Sequence, residues 1–208
     1  MAGETERFGL EAREILFHQG DPARYVYTVT AGTARLIRVL ADGRQAAIGF
    51  RFAGDLIGYG AGEEYAFGAE ALTPITVCRM ERKRLEAMFQ RYPRLERRFR
   101  ELAAAELAAS QDHIMALGRF TAEERVAAFL LVLIGAQEKR GRHGPVFDLP
   151  ATRADIGEFL GLTLETVSRA ISAFRKRGWV KLHGHSGIEL VNREQLAGMA
   201  SGDGADAA

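Results

Sequence analysis

The stretch from Thr152 to Arg177 decides the fold of the C-terminal part of the chain: Thr-Arg-Ala-Asp-Ile-Gly-Glu-Phe-Leu-Gly-Leu-Thr-Leu-Glu-Thr-Val-Ser-Arg-Ala-Ile-Ser-Ala-Phe-Arg-Lys-Arg. It predicts two helices joined by a turn, because Gly157 lets two crossing helices press together and Gly161 suits the turn. Thr152 and Thr163 are good N-cap residues, so each helix has its own start. The positions expected to face inward are Ile156, Leu160, Leu162, Val167, Ala170, Ile171 and Phe174. This pattern is that of a helix-turn-helix.

The second of these helices carries polar side chains on one outward face. If Thr163 is the cap, then Glu165, Ser168 and Arg169 lie at positions i, i+3 and i+4. Arginine can donate to guanine O6 and N7, glutamate can accept from cytosine N4, and serine can contact either a base or a phosphate. The alternative is that Glu165 and Arg169 form an ordinary solvent-exposed ion pair. We predict that the three residues read bases of double-stranded DNA in the major groove.

A basic segment follows the reading helix and leads into a predicted wing of two short strands around residues 184–187. The net charge of the chain is only +1, so an electrostatic case for nucleic acid depends on this local cluster. His183 and His185 stand two residues apart, but no third ligand is near in sequence, and no metal site is expected. The residues expected to contact the DNA backbone are Thr163, Ser172, Arg175, Lys176, Arg177 and Lys181.

The N-terminal part of the chain is predicted to be a β-roll. Between Leu10 and Arg79 short β-type runs alternate with glycine-containing turns, of which Asp42-Gly43 is the clearest hairpin signal. The expected strands cover residues 15–17, 25–29, 34–39, 47–50 and 75–78. Helix formers take over after Arg79, so the fold class is α+β, a β-roll followed by helices and a winged helix-turn-helix.

A long helix is predicted from Pro93 to about Leu117, and its apolar residues fall on more than one stripe. It could be an internal core helix, but at about 40 Å it is longer than a small domain requires, which favours pairing with a second copy. A homodimer is therefore expected. The capping box that starts at Thr121 begins the next helix. The residues predicted to form the dimer contact are Phe99, Leu102, Ala109, His113 and Leu117.

These patterns divide the chain into a sensor-like roll (1–92), a dimerisation helix (93–120), a DNA-binding domain (121–200) and a disordered tail (201–208).

A single cysteine, Cys78, excludes an internal disulfide and a cysteine-ligated iron-sulfur cluster. No membrane span or signal peptide is recognisable, so a cytoplasmic protein is expected. An enzyme of the cupin type would need a cluster of histidines and carboxylates in the roll, where only His18 lies within the strand region. We therefore expect no catalytic residues and no enzymatic activity.

Three motifs in order resemble the cyclic AMP receptor protein and fumarate-nitrate-reduction regulator (CRP/FNR) superfamily, from Phe17 to about Asn192. They are Phe17-His-Gln-Gly-Asp-Pro with Gly54-Asp-Leu-Ile-Gly, then Thr121-Ala-Glu-Glu-Arg-Val-Ala-Ala-Phe-Leu, and Leu164-Glu-Thr-Val-Ser-Arg. The Glu-x-x-Ser-Arg form resembles the FixK-like branch. The resemblance implies a bacterial-type transcription regulator, an activator, that reads a TTGAT half-site in an inverted repeat and has RNA polymerase as a partner.

The sequence also departs from the superfamily pattern where cyclic-nucleotide members hold the ribose and cyclic phosphate. Phe67 and Gly68 stand where an arginine and a hydroxyl residue would be needed, and Glu70 adds negative charge, so no cyclic nucleotide is expected. Oxygen-sensing members carry an N-terminal cysteine cluster, which this chain lacks. Haem ligation through His18, His113 or Cys78 stays open, but none lies in a diagnostic motif. We expect no cofactor, and the alternative is a sensor whose DNA binding requires a ligand or haem in the roll.

Overall fold

The computed structural model describes residues 5–60, 62–141, 143–184 and 186–202. The chain divides into two compact units, Met1–Ser110 and Gln111–Ala208. The division falls inside the long helix rather than at either of its ends, so each unit is described with its own part of that helix. The predicted tail lies largely outside the described residues, which end at Gly202.

The N-terminal unit contains two antiparallel four-stranded sheets. One has the strand order β1-β8-β3-β6 and the other the order β2-β7-β4-β5. The strands are β1 Glu6–Leu10, β2 Ile15–Phe17, β3 Tyr25–Ala31, β4 Thr33–Val39, β5 Gln45–Phe52, β6 Leu56–Ile57, β7 Gly68–Ala71 and β8 Ile75–Glu81. The alternating buried positions of β3, β4 and β8 share one apolar core that includes Val29, Leu36 and Val77. The predicted β-roll is confirmed.

Two helices follow the roll, α1 Arg82–Arg91 and α2 Pro93–Arg119. Pro93 is the first residue of α2, where its missing N–H costs nothing. None of the 27 residues of α2 is fully buried. In the N-terminal unit α2 is tied to the roll by the ion pair between Arg51 and Glu106 and by Phe99, whose ring packs on Tyr59 and Phe89 at centroid distances of 4.5 and 5.0 Å.

The C-terminal unit is a winged helix-turn-helix. Its helices are α3 Ala122–Lys139, α4 Arg153–Leu160, α5 Leu164–Lys176 and α6 Arg193–Ala200, and its sheet has the order β10-β11-β9, with β9 Val146–Asp148, β10 Val180–His183 and β11 Gly187–Leu190. Val126, Ile156, Phe174 and Ile188 are among its completely buried side chains. The predicted capping box is present, since Thr121 Oγ1 accepts from the Glu124 amide and the Glu124 carboxylate accepts from the Thr121 amide. Within the described residues, no helix is long and apolar enough to cross a membrane.

Candidate nucleic-acid interface

The helix α5, predicted to read bases, begins and ends as its sequence predicts. Thr163 Oγ1 accepts a hydrogen bond from the Thr166 amide, so its side chain caps the first turn. Arg175 and Lys176 lie in the last turn, where their positive charges interact favourably with the negative end of the helix dipole. Gly178 follows with a φ of +73° and ends the helix.

The turn between α4 and α5 depends on two glycines. Gly161 has a φ of +64°, a left-handed conformation that glycine adopts without strain. A Cβ atom at Gly157 would lie 2.6 Å from the Leu162 carbonyl oxygen, so only glycine fits where the turn crosses α4. The Leu162 amide also donates to the Gly157 carbonyl at 2.8 Å. Six of the seven inward positions predicted from the sequence are buried, and Leu162 is half-buried.

The predicted reading residues lie on the outward side of α5, whose opposite side is buried. Val167, Ala170, Ile171 and Phe174 face the core. Glu165 and Arg169 are exposed and Ser168 is half-exposed. The three side chains are therefore placed where a duplex seated on α5 would meet them.

Glu165 and Arg169 do not use each other as their main partners in the described part of the chain. The Arg169 guanidinium donates to Thr166 Oγ1 at 3.2 Å. The pKa of the Glu165 carboxyl is lowered first by its own backbone amide and then by the Thr163 hydroxyl, and Arg169 is only a minor cause. Both side chains are exposed on the outward side of α5, so each can turn toward a base edge.

The predicted backbone-contact cations fall into two classes. Arg177 donates to the Glu123 carboxylate at 2.6 Å, and Lys181 Nζ lies 4.0 Å from a Glu189 oxygen. Arg175 and Lys176, in contrast, are exposed and have no acidic partner among the described residues. The remaining two backbone candidates, Thr163 and Ser172, are also exposed. Only part of the basic cluster is therefore left uncompensated.

The wing extends from α5 through the predicted strand pair. β10 and β11 pair from Val180 with Leu190 to His183 with Gly187, and β9 adds to the other edge of β11. His183 Nε2 contacts the Glu189 carboxylate at 2.7 Å. His185 lies outside the described residues, which contain no group of three or more side chains that could hold a metal ion.

Sequence reasoning missed one exposed residue of the reading helix, Leu164. It is the first residue of α5 and is 47% exposed, beside Glu165. An apolar side chain at this position can contact the methyl group of thymine. Its position could have indicated this exposure, because Leu164 directly follows the cap and the helix-turn-helix pattern does not require an inward-facing leucine there.

The predicted dimer residues do not share one environment. In the N-terminal unit Phe99 packs on its own roll, and in the C-terminal unit the His113 ring stacks on Phe159 at 4.1 Å. Leu117 also packs within its own unit, close to Gly161. Leu102 and Ala109 are exposed. The most exposed large apolar residues of α2 are Leu107 (62%) and Ile114 (69%), which the predicted set omits.

The interior of the roll is filled by aromatic rings. Phe17 stacks on Tyr65 at a centroid distance of 3.8 Å and on Tyr27 at 5.5 Å, and Phe67 packs against the same core. Burial raises the pKa of both the Tyr27 and the Tyr65 phenol, as expected of a dry interior. The cavity beside Tyr65 and Phe67 has a volume of only about 90 Å³, whereas small-molecule sites typically have about 300 Å³ or more. The adjoining groove between Arg38 and Glu63 has about 440 Å³ but is open rather than enclosed.

Glu70 plays a different part from the one expected. It is buried and bonds Arg35 at 3.0 Å and Arg13 at 3.2 Å, so its charge is neutralised inside the roll. It therefore does not repel a phosphate, and the case against a cyclic nucleotide depends on the aromatic packing instead. Of the haem-ligand candidates, His18 is exposed and Cys78 is half-buried on β8.

Comparison with known proteins follows the same division of the chain. The family model for a cyclic nucleotide-binding domain matches residues 7–92, and the model for a Crp-like helix-turn-helix domain matches residues 124–199. The chain is 35% identical over 199 residues to the nitrogen fixation regulation protein FixK of Bradyrhizobium diazoefficiens, covering 94% of this chain and 82% of the relative.

Two further relatives agree. The fumarate and nitrate reduction regulatory protein of Escherichia coli is 34% identical over 194 residues, covering 92% of this chain and 77% of that protein. The solved structure of FixK2 from Bradyrhizobium japonicum is 36% identical and superposes with a TM-score of 0.86, covering 93% of this chain and 96% of that one. The resemblance inferred from the sequence motifs is confirmed.

Proposed function

This chain belongs to the CRP/FNR family and is a DNA-binding transcription regulator with FixK-like relatives, and from that premise we propose that it acts as a homodimer reading a TTGAT-type inverted repeat. The observation that carries the proposal is the outward face of α5, where Glu165, Ser168 and Arg169 project from a helix capped by Thr163. Two such helices related by a two-fold axis would enter successive major grooves about 34 Å apart.

Each reading residue has a definite role in this proposal. Arg169 donates to guanine O6 and N7, Glu165 accepts from the N4 amino group of a cytosine, and Ser168 contacts a base or phosphate. Leu164 contacts a thymine methyl group, which suits a half-site rich in thymine. The thymine contact rests on the exposure of Leu164 at the start of α5.

The contribution expected of each cation to phosphate binding depends on whether it has an acidic partner in the chain. Arg175 and Lys176 contribute most, because their charges are uncompensated within the described residues. Lys181 contributes less, since Glu189 lies 4.0 Å from its ammonium group and offsets the charge that a phosphate would meet. Thr163, Ser172 and Arg177 complete the contact to the sugar-phosphate backbone.

The dimer contact is proposed along α2. Ala103, Leu107, Ser110 and Ile114 repeat at intervals of four, three and four residues, which is the seam of a parallel coiled coil. Leu107 and Ile114 are exposed in the single chain and need a partner, whereas Glu106 on another face is held by Arg51. A second copy of α2, aligned in parallel by a palindromic site, supplies that partner.

The regulator is proposed to bind DNA without cyclic nucleotide or haem, with RNA polymerase as a further partner because the relatives include FixK and a fumarate and nitrate reduction regulator. A sensor that requires a ligand in the roll is the alternative. The two differ in whether the protein free of added ligand and metal binds a TTGAT palindrome.

The decisive experiment measures binding of the ligand-free protein to the palindrome and to a scrambled duplex over a range of salt concentrations. Arg169→Ala should cost about 1–3 kcal/mol on the palindrome alone. Lys176→Ala should weaken both duplexes alike and lower the salt slope by about one unit, because it removes one phosphate contact. Lys181→Ala is the matched control and should lower the slope by less.

A substitution of thymine by deoxyuracil tests the Leu164 contact in the same assay. Removing the methyl group should weaken the wild type by about fourfold, since a buried methyl group is worth about 0.8 kcal/mol. Leu164→Ala should not respond to the substitution. Equal losses on specific and scrambled duplexes for both Arg169→Ala and Lys176→Ala would contradict the reading face.

A further inference from the structure

One arginine bridges the ends of two helices at the base of the winged helix-turn-helix. Arg125, in the first turn of α3, donates from Nε to the Phe120 carbonyl at 3.0 Å and from Nη1 to the Leu160 carbonyl at 3.1 Å. Phe120 follows the last residue of α2, and Leu160 is the last residue of α4. Carbonyls at helix ends lack partners within their own helix, so a single guanidinium satisfies both ends and fixes their separation.

The last turns of α2 pack on the same place. The His113 ring is parallel to the Phe159 ring, with an interplanar angle of 5° and a centroid distance of 4.1 Å. A Cβ atom at Gly161 would lie 3.7 Å from a methyl carbon of Leu117 and 3.8 Å from Arg125 Nη1. All of these residues belong to the C-terminal unit. The end of α2, the end of α4 and the turn into α5 are therefore held together as one block.

We infer that Arg125 is a positioning residue that sets where α5 lies relative to the end of α2, and thereby the half-site spacing that the dimer accepts. The inference rests on the proposed homodimer. If α2 carries the seam, each reading helix is placed by its attachment to α2, and the two carbonyl bonds of Arg125 are part of that attachment. A change there should alter the geometry of the pair of reading helices and leave the base contacts of each one intact.

The test compares affinities for one half-site, for the palindrome with the spacer that the wild type prefers, and for palindromes with the spacer changed by one base pair. The wild type should prefer one spacer by at least about fivefold, a typical coupling between two sites. Arg125→Met keeps the aliphatic stem and Arg125→Lys keeps the charge, but neither can bridge the two carbonyls. Both should reduce the preference to below about twofold while half-site affinity stays unchanged.

The matched control is Arg140→Met. Arg140 also donates to a backbone carbonyl, that of Ala136 at 2.6 Å, but this carbonyl lies one turn away on its own helix. The control should keep the spacer preference. The Met variant loses the positive charge of Arg125, and the Lys variant keeps it. If the Met variant unfolds at the assay temperature, the spacer preference is therefore measured with the Lys variant.

The outcomes separate this inference from the proposed function. Spacer preference retained in both Arg125 variants, or a half-site affinity that falls as much as the palindrome affinity, would overturn the positioning role alone. A wild type that binds one half-site as tightly as any palindrome would overturn the homodimer proposal and this inference with it. Loss of spacer preference with half-site affinity retained would support both.

Discussion

At the scale of single residues, the chain is held by polar contacts that join positions at very different separations along the sequence. Thr152 and Thr163 cap their helices through a hydroxyl that accepts from an amide only three residues away. Arg177 instead donates to Glu123, which lies 54 residues earlier in the chain. Glu70 is likewise paired with Arg35 on a different strand. Contacts of the first kind follow from a local sequence pattern, whereas those of the second kind depend on the folded chain.

Gly157 gives a prediction at this scale. Gly157→Ala would place a Cβ 2.6 Å from the Leu162 carbonyl oxygen, a backbone atom that cannot move aside without distorting the turn. We expect a loss of about 1–3 kcal/mol in the free energy of unfolding. Urea titrations followed by the fluorescence of Trp179, the one tryptophan of the chain, report on the C-terminal unit.

The control is another helical glycine, Gly135 in α3. A Cβ atom there meets nothing within 4 Å, so Gly135→Ala should stabilise the helix by about 0.5–1 kcal/mol. Opposite signs for the two substitutions would confirm that the crossing of α4 by the turn, and not helix propensity, requires glycine at position 157. A stabilised Gly157→Ala would show that the turn is looser than the geometry indicates.

At the scale of elements, the sequence predicted the helices and strands whose hydrophobic residues repeat with a clear period. The five strands predicted in the roll are present, as are helices after Arg79, the long helix, the helix that begins after Thr121 and the helix-turn-helix. The ends differ by a few residues. The strands β1, β6 and β7 and the helix α6 were missed. β7 has the sequence Gly-Ala-Glu-Ala, which has little β-propensity, and it is a strand because β2 and β4 enclose it on both sides. α6 is eight residues long, and its burial of Leu196 is a tertiary effect.

The contact between α2 and α4 predicts a pH dependence. Burial between the helices, with Arg125 nearby, lowers the pKa of His113 below its ordinary value of 6.5. The unfolded chain then binds more protons than the folded one just below pH 6.5, so the free energy of unfolding of the C-terminal unit falls as the pH drops through this window. Trp179 fluorescence in urea titrations between pH 7.5 and about pH 5 measures it.

The control for this pH dependence is His113→Phe, which keeps a flat ring against Phe159 and removes the titrating group. The variant should lose the part of the pH dependence that lies just below pH 6.5. Its stability at neutral pH should fall by about 0.5–1.5 kcal/mol, because phenylalanine cannot make the hydrogen bond between the His113 ring and the Phe159 backbone. An identical pH profile in the variant and the wild type would assign the acid sensitivity to other groups and contradict the role of His113.

At the scale of the whole molecule, the seam on α2 makes a prediction about assembly. Ile114→Glu would place two like charges across the two-fold axis, which costs several kcal/mol, so the dimer dissociation constant should rise by at least about 100-fold. Leu102→Glu is the matched substitution on the other apolar face of α2 and should have a smaller effect. Sedimentation equilibrium with and without operator DNA measures both.

The reverse order of effects would identify the face with Leu102 and Ala109 as the seam, as the sequence pattern first predicted. A wild-type chain that stays monomeric at all concentrations, even with operator DNA, would exclude a dimer through either face. DNA is included because a small seam is weak by itself, and a bound palindrome stabilises the dimer by mass action.

The roll makes the last prediction, which concerns its response to small molecules. The family model for its residues 7–92 is that of a cyclic nucleotide-binding domain, yet Phe17, Tyr27 and Tyr65 stack in its interior, and the cavity beside Tyr65 has a volume of about 90 Å³. An open groove of about 440 Å³ is lined by Glu63, Glu64 and Arg38. Its two carboxylates outnumber its one guanidinium, so the charge of the groove does not favour a cyclic phosphate. We expect titration calorimetry with cyclic AMP and cyclic GMP to detect no saturable site in the micromolar range, about −8 kcal/mol.

Operator affinity should likewise be the same with and without either nucleotide, because a ligand shifts an equilibrium only through different affinities for its two states. Saturable micromolar binding would mean that the aromatic stack opens to admit a ligand, and a matching gain in operator affinity would make this roll a sensor.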